Sequence, residues 1–237
     1  MSISAFKIAN KLITGQGAIE QLDAELARLQ ISNPLIVTDA ILVKSGTVDL
    51  ALAHLGGRAY RIFDEVQPEP EIAIVQACTQ AYRAGGHDGL IGLGGGSAID
   101  IAKAVAAFAG HEGALEELFG VDQVQRKGPP LIAIPTTAGT GSEVTNVAIL
   151  SDKVAQLKKG IVSDYLLPDV ALVSTVMTLT CPRSVTAASG VDALVHAVES
   201  YLSLNGSPIT DSLALGAIRL IVRALPKAYA NPANLQS

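Results

Sequence analysis

At 237 residues, 49% of them hydrophobic, the chain is long enough for a substantial core in one or two domains. No uninterrupted apolar run approaches the roughly 18 residues that suggest a membrane span, and a net charge of −5 without a basic run makes nucleic acid and anionic membrane poor partners. The N-terminal residues lack the basic flank, long apolar centre and cleavage site of a secretory signal. Cys78 and Cys181 stand alone, without zinc-like or C-x-x-C spacing, which fits packed thiols in a reducing cytoplasm.

Along the chain, Ile19, Leu22, Leu26 and Leu29 share one helical face and predict a helix over 18–29, after which Pro34 opens a strand running from Leu35 to Asp39. A helix around Thr47 to Leu55, a strand at Ala59 to Phe63 and a helix from about Glu71 to Arg83 follow. Strands alternating with helices of this length indicate a doubly wound α/β fold with a parallel sheet, whose ligands sit at the carboxyl ends of the strands; Asp39 lies at such an end.

Gly89 to Ala107 is the most informative stretch. A short apolar run, three glycines at Gly94, Gly95 and Gly96, and apolar residues at helical spacing (Ile99, Ala102, Val105, Ala106) read as strand, tight turn and helix. Ser97 stands where an N-cap belongs and Asp100 completes a capping-box-like pair, so the helix is expected to start at the last glycine. Glycine lets a ligand approach the backbone, and a helix N-terminus favours an anion such as a pyrophosphate. A plain tight turn is the alternative. G-x-x-x-x-G-K-[ST] is absent, which argues against a P-loop nucleotidase, and the glycine spacing misses G-x-G-x-x-G.

Leu131 to Ile134 reads as another strand, closed by Pro135. Thr136, Thr137, Thr140 and Ser142 then crowd a loop that can wrap a polar ligand with hydroxyls and amides, or be an ordinary Ser/Thr/Gly loop. Two more strands are expected near Ile161 and at Val170 to Val173, with Lys158 and Lys159 just before the first; a solvated pair is the ordinary reading of those lysines. From about Pro182 the pattern turns helical, which places a boundary between an α/β domain over 1–181 and the first helices of a second domain over 182–237. Val191, Leu194, Val195, Val198 and Leu202 form one helical face, and Ser207 with Pro208 starts a further helix. Asp192 and His196, four apart, project from one side of their helix and suit a divalent iron or zinc; a helix-surface hydrogen bond is the alternative, and His54, His87 and His111 offer no obvious third ligand.

Four stretches in this order resemble the iron-containing (group III) alcohol dehydrogenase family: Val37-Thr38-Asp39, Gly94 to Lys103, Ile134 to Thr145, and Gly190 to Glu199. The resemblance implies a Rossmann-like sheet followed by an all-helical domain, the dehydroquinate synthase-like architecture. It also implies a pyrophosphate on Gly95, Gly96 and Ser97, with Thr136, Thr137 and Ser142 on its other side, and Lys159 near a ribose. Gly94, Asp100 and Thr140 join that cofactor set, and Asp39 is placed on the adenosine ribose, which favours NAD over NADP. The family's metal takes one Asp and three His, and Asp192 and His196 match the first two. The implied chemistry is Lewis-acid activation of a small alcohol or aldehyde with hydride exchange at the nicotinamide, in a homo-oligomer of two or more subunits.

Three departures accompany the resemblance. The family's last two histidine ligands lie beyond the region matched here, which leaves a dinucleotide-binding module without turnover as an alternative. Glu69 stands where relatives often carry asparagine, and Ser174-Thr175 replaces a common Asp-Pro. A glycerol dehydrogenase-like or maleylacetate reductase-like relative is a further alternative; Asp192 and His196 speak against the latter, which lacks the metal ligands.

Overall fold

The computed structural model describes residues 5–153 and 155–233; the first four residues of the segment read above for a secretory signal lie outside them. In chain order the elements are β1 (Leu12–Thr14), α1 (Leu22–Arg28), β2 (Pro34–Val37), α2 (Ala40–Lys44), α3 (Thr47–Leu52), β3 (Arg61–Phe63), α4 (Ile72–Ala84), β4 (Gly89–Gly94), α5 (Gly96–Ala109), β5 (Gly120–Val121), β6 (Leu131–Pro135), β7 (Val147–Asp152), β8 (Leu157–Val162), β9 (Val170–Val173), α6 (Arg183–Leu202) and α7 (Pro208–Ala230). They fall into two compact units. One holds Ile8–Thr136 and Ser142–Met177; the other holds Thr137–Gly141 and the described residues from Thr178 onward, with residues 5–7.

In the first unit a six-stranded sheet, parallel throughout, runs β1-β9-β6-β4-β2-β3. Every residue of β2, β4 and β6 is buried, as a sheet covered on both faces requires. Alternate residues feed two separate cores: Leu35, Val37 and Leu90 pack with Ala102 and Val105 of α5 and Val75 of α4, while Ile36, Ile91, Leu93 and Ile132 pack with Leu22, Leu26 and Val48. The doubly wound parallel sheet expected from the alternation is present. After β2 the chain winds outward to β3 and then returns to place β4 on the other side of β2, so the winding reverses between these two central strands. Such a reversal opens a crevice at the carboxyl ends of the strands.

The differences from expectation are local. Asp39 is not the last residue of a strand: β2 ends at Val37, and Asp39 is the N-cap of the unanticipated α2, its Oδ1 accepting from the Ile41 and Leu42 N–H groups at 2.9 Å. The N-cap of α5 is Gly95, without any side-chain cap, so Ser97 lies in the first turn and its expected capping box with Asp100 does not form. Lys158 and Lys159 lie within β8, not before it. A second, three-stranded sheet, β5-β8-β7, pairs β7 and β8 as an antiparallel hairpin, of which only the second strand was expected. The edge strand β1, which pairs with β9 some 160 residues later, was likewise unforeseen.

In the second unit α6 and α7 lie antiparallel, Arg183 Nη2 at the start of one donating to the Ala230 carbonyl near the end of the other at 3.2 Å. Ser207 caps α7 with Pro208 in its first turn, as the sequence predicts. Gly190 lets Leu225 seat on α6, since a Cβ there would lie 2.3 Å from Leu225 Cδ1. Among the described residues the apolar stripe of α6 stays uncovered, with Val191 and Leu202 at 53% and 71% exposure.

β4 packs closely on α5. A Cβ on Gly92 would sit 2.9 Å from Ala102 Cβ and 3.3 Å from Ile99 Cα, neither of which belongs to a flexible side chain. Gly92→Ala is therefore expected to lower stability in urea unfolding by about 1–3 kcal/mol; an unchanged midpoint and slope would contradict this packing.

Candidate functional site

The crevice at the sheet reversal is built by the ends of β2, β4 and β6. In the paired strands Val37 lies opposite Gly92, and Gly94 opposite Pro135, so Asp39, Gly94 and Thr136 emerge side by side. The Thr136 N–H donates to the Gly94 carbonyl at 3.0 Å. Gly94 has φ +153°, and a Cβ on it would lie 2.8 Å from Ala98 Cβ and 4.0 Å from Asp39 Oδ2. Only glycine turns the chain here into α5. Asp39 thus uses one carboxylate oxygen to cap α2 and presents the other beside Gly94.

Past Gly94 the chain enters α5 directly. The first intrahelical bonds run from the Ala98 and Ile99 N–H groups to the Gly95 carbonyl, at 3.1 and 3.3 Å. The N–H groups of Gly96 and Ser97 precede them, no side chain caps this end, and residues 95–97 are half-buried. An uncapped, partly enclosed helix N-terminus reached through a Cβ-free turn fits a diphosphate by its donors and its dipole.

Asp100 faces away from that end, into the fold. Its Oδ2 accepts from the Ile149 N–H of β7 at 3.0 Å, its Oδ1 lies 3.9 Å from Lys103 Nζ, and its carboxyl is also hydrogen-bonded to the Ser142 side chain. Burial raises its pKa, opposed by Lys103 and by these hydrogen bonds. Lys103 has no exposed surface at all; its ammonium donates to Thr145 Oγ1 and the Val147 carbonyl, both at 3.0 Å. Burial drags its pKa from 10.5 to about 8, against the pull of Asp100 and Glu143. Glu143 is itself pushed up by burial. This cluster was not recognised from the sequence, although an Asp and a Lys three apart in a stretch, 98–107, otherwise made of Ala, Ile and Val are its visible trace.

Lys159 is engaged within the three-stranded sheet, 2.7 Å from Asp152 Oδ2 and 5.5 Å from the centre of the Phe119 ring. Glu69 has φ +56°, a left-handed conformation that asparagine adopts more readily than glutamate. In the helical unit, Thr137–Gly141 packs on α6: a Cβ on Gly139 would meet Ser189 Cβ at 2.7 Å. Asp192 Oδ1 and His196 Nε2 lie 3.7 Å apart on α6, each about half exposed. A carboxylate oxygen and an imidazole nitrogen so placed fit two ligands of a divalent metal. Among the described residues no third His, Cys, Asp or Glu joins them.

The model of the iron-containing alcohol dehydrogenase family matches residues 9–175, and that of the family's C-terminal region matches residues 186–237. The chain belongs to the iron-containing alcohol dehydrogenase family. It is 45% identical over 228 residues to long-chain-alcohol dehydrogenase 1 of Geobacillus thermodenitrificans, covering 94% of this chain and 57% of that relative. A crystal structure of 1,3-propanediol oxidoreductase superposes with a TM-score of 0.96 at 37% identity, covering 99% of this chain and 62% of that one. The sulfoacetaldehyde reductase of Bifidobacterium kashiwanohense, solved in complex with NAD+, superposes with a TM-score of 0.91 at 31% identity, covering all of this chain and 63% of that one. The chain thus spans about three fifths of the length of these relatives. No helix among the described residues is long and apolar enough to cross a membrane.

The buried lysine makes a pH prediction. Its folded pKa, about 8, lies below the ordinary 10.5, so between these values the unfolded chain binds the extra proton and stability rises with pH. Cys78, raised by burial to about 12, acts oppositely and must be subtracted. Relative to a Lys103→Met/Asp100→Asn double variant, the parent chain should gain on the order of 3 kcal/mol in urea unfolding across that window. Parallel profiles for the two proteins would show that burial does not lower the pKa of Lys103.

Proposed function

We propose that the chain serves an NAD-dependent, metal-dependent alcohol dehydrogenase that moves a hydride between a small alcohol or aldehyde and the nicotinamide. The observation that carries this reading is the uncapped N-terminus of α5, entered through Gly94 beside the second carboxylate oxygen of Asp39. On this reading the α/β portion to residue 181 takes the dinucleotide and the helices from 182 begin the metal-binding domain. The N–H groups of Gly96 and Ser97, at the turn made by Gly94 and Gly95, hold the diphosphate. Asp39 accepts from the adenosine ribose and, by its charge, turns away a 2′-phosphate. Thr136 and Ser142 lie on the neighbouring strand end and loop, while Thr137, Thr140 and Lys159 are assigned by the family resemblance. Asp100 supports the site from beneath.

Asp192 and His196 supply two metal ligands. When bound, a divalent iron, or zinc, would supply Lewis-acid polarisation of the substrate's oxygen. The names of the relatives share an alcohol or aldehyde carbon and differ in what surrounds it, which supports that substrate class. A cytoplasmic homo-oligomer belongs to the same reading.

Titration of the chain with NADH, read by nicotinamide fluorescence, tests the site. Gly95→Asp puts an N-cap carboxylate over the helix amides at a φ of −73°, which aspartate adopts freely. The variant should be at least as stable as the parent and bind NADH about tenfold or more weakly; equal affinity would rule out α5 as the diphosphate site. Asp39→Asn removes the charge while keeping an oxygen for the α2 cap. It should raise the affinity for NADPH relative to NADH, and an unchanged ratio would remove Asp39 from the ribose. Turnover of a small alcohol with NAD by the NADH-binding chain would show the dehydrogenase activity directly.

A further inference from the structure

Lys103 lies about two turns past the Gly96 end of α5, on a helix whose residues from Ala98 to Ala107 are all buried. Burying an ammonium ion is costly, and alanine or isoleucine, which fill most of the neighbouring positions, would avoid the cost. The charge is sealed from solvent, so it cannot reach a substrate. What it reaches is one segment of chain: Thr145 Oγ1 and the Val147 carbonyl, with Glu143 close enough to oppose loss of its proton. One turn earlier, Asp100 holds the same segment through the Ile149 N–H and the Ser142 side chain. Two side chains of opposite charge, three apart on α5, therefore grip Ser142–Ile149 from one end to the other. Apolar contact is non-directional and tolerates sliding. A buried ion pair with directed hydrogen bonds has one good geometry, and any slip leaves a charge uncompensated.

We propose that Lys103 is a positioning residue for the dinucleotide: with Asp100 it locks Ser142–Ile149 against α5, and so fixes Ser142 relative to the helix amides that take the diphosphate. This inference rests on the dinucleotide reading of α5. The lock needs a charge and a hydroxyl acceptor, not bulk, which makes Thr145 the cleanest probe.

Thr145→Val removes the acceptor with little change of shape, while Thr145→Ser keeps it. Amide hydrogen exchange and NADH affinity are measured on the intact chain for both, beside the Lys103→Met/Asp100→Asn double variant. Thr145→Val should speed exchange over Ser142–Ile149 without altering β2 or β4, and weaken NADH binding about three- to tenfold. Thr145→Ser should behave as the parent, and the double variant should lose more. A general fall in the urea midpoint with equal NADH affinity in the valine and serine variants would show packing alone and overturn the assignment. If the parent binds NADH and Thr145→Val matches it in both exchange and affinity, only the role of Lys103 falls. If the parent binds no NADH, the dinucleotide reading falls and takes this role with it.

Discussion

The α/β unit depends on how closely β4 can approach α5. Gly92 lets the strand lie against Ala102 and Ile99, and Gly94 lets the backbone turn beside Ala98 with no side chain in the way. The rest of the crevice follows from that contact. It brings the start of α5 to the reversal of the sheet, and it leaves a helix end whose donors are not consumed by a cap. A serine or threonine as N-cap would be the usual choice for stability. Its absence, where the neighbouring α2 is capped twice over by Asp39, marks this end as kept open.

The same helix carries a second constraint on its inner side. An apolar core would have closed the space between α5 and β7, yet a lysine and an aspartate fill it, each meeting the segment that follows the hydroxyl-rich loop. Buried charge is poor evidence of added stability, because its desolvation offsets most of the attraction. It is better understood as fixing one arrangement among several that an apolar contact would permit. Two faces of one helix thus do different jobs: the first turn offers donors, and the next two hold the adjoining chain in register.

Much of this was legible in the sequence, and the pattern of what was not is physical. The buried strands of the parallel sheet announced themselves as apolar runs bounded by glycine and proline, and Ser207-Pro208 marked the start of α7. The glycine turn pointed to α5, but the capping box read there needed Asp100 to reach back, whereas the carboxylate found Ile149 of a strand nearly fifty residues away. Long-range partners also explain the other misses. β1 exists because β9 accepts it at the sheet edge, and β7 because β8 folds back along it; neither has a strong period of its own. Asp39 reads from the sequence as the end of a strand and instead caps α2, since a short helix of five residues carries too little periodicity to be seen. Asp192 and His196 were correctly read as neighbours because their spacing alone sets their separation.

Family membership and the geometry of the crevice converge on one physical claim, that the open end of α5 receives a diphosphate. A crystal structure of the chain grown with NAD tests it most directly. The diphosphate oxygens should lie within hydrogen-bond reach of the Gly96 and Ser97 N–H groups, with a ribose hydroxyl on Asp39. A dinucleotide bound elsewhere, with those N–H groups facing only water, would contradict it.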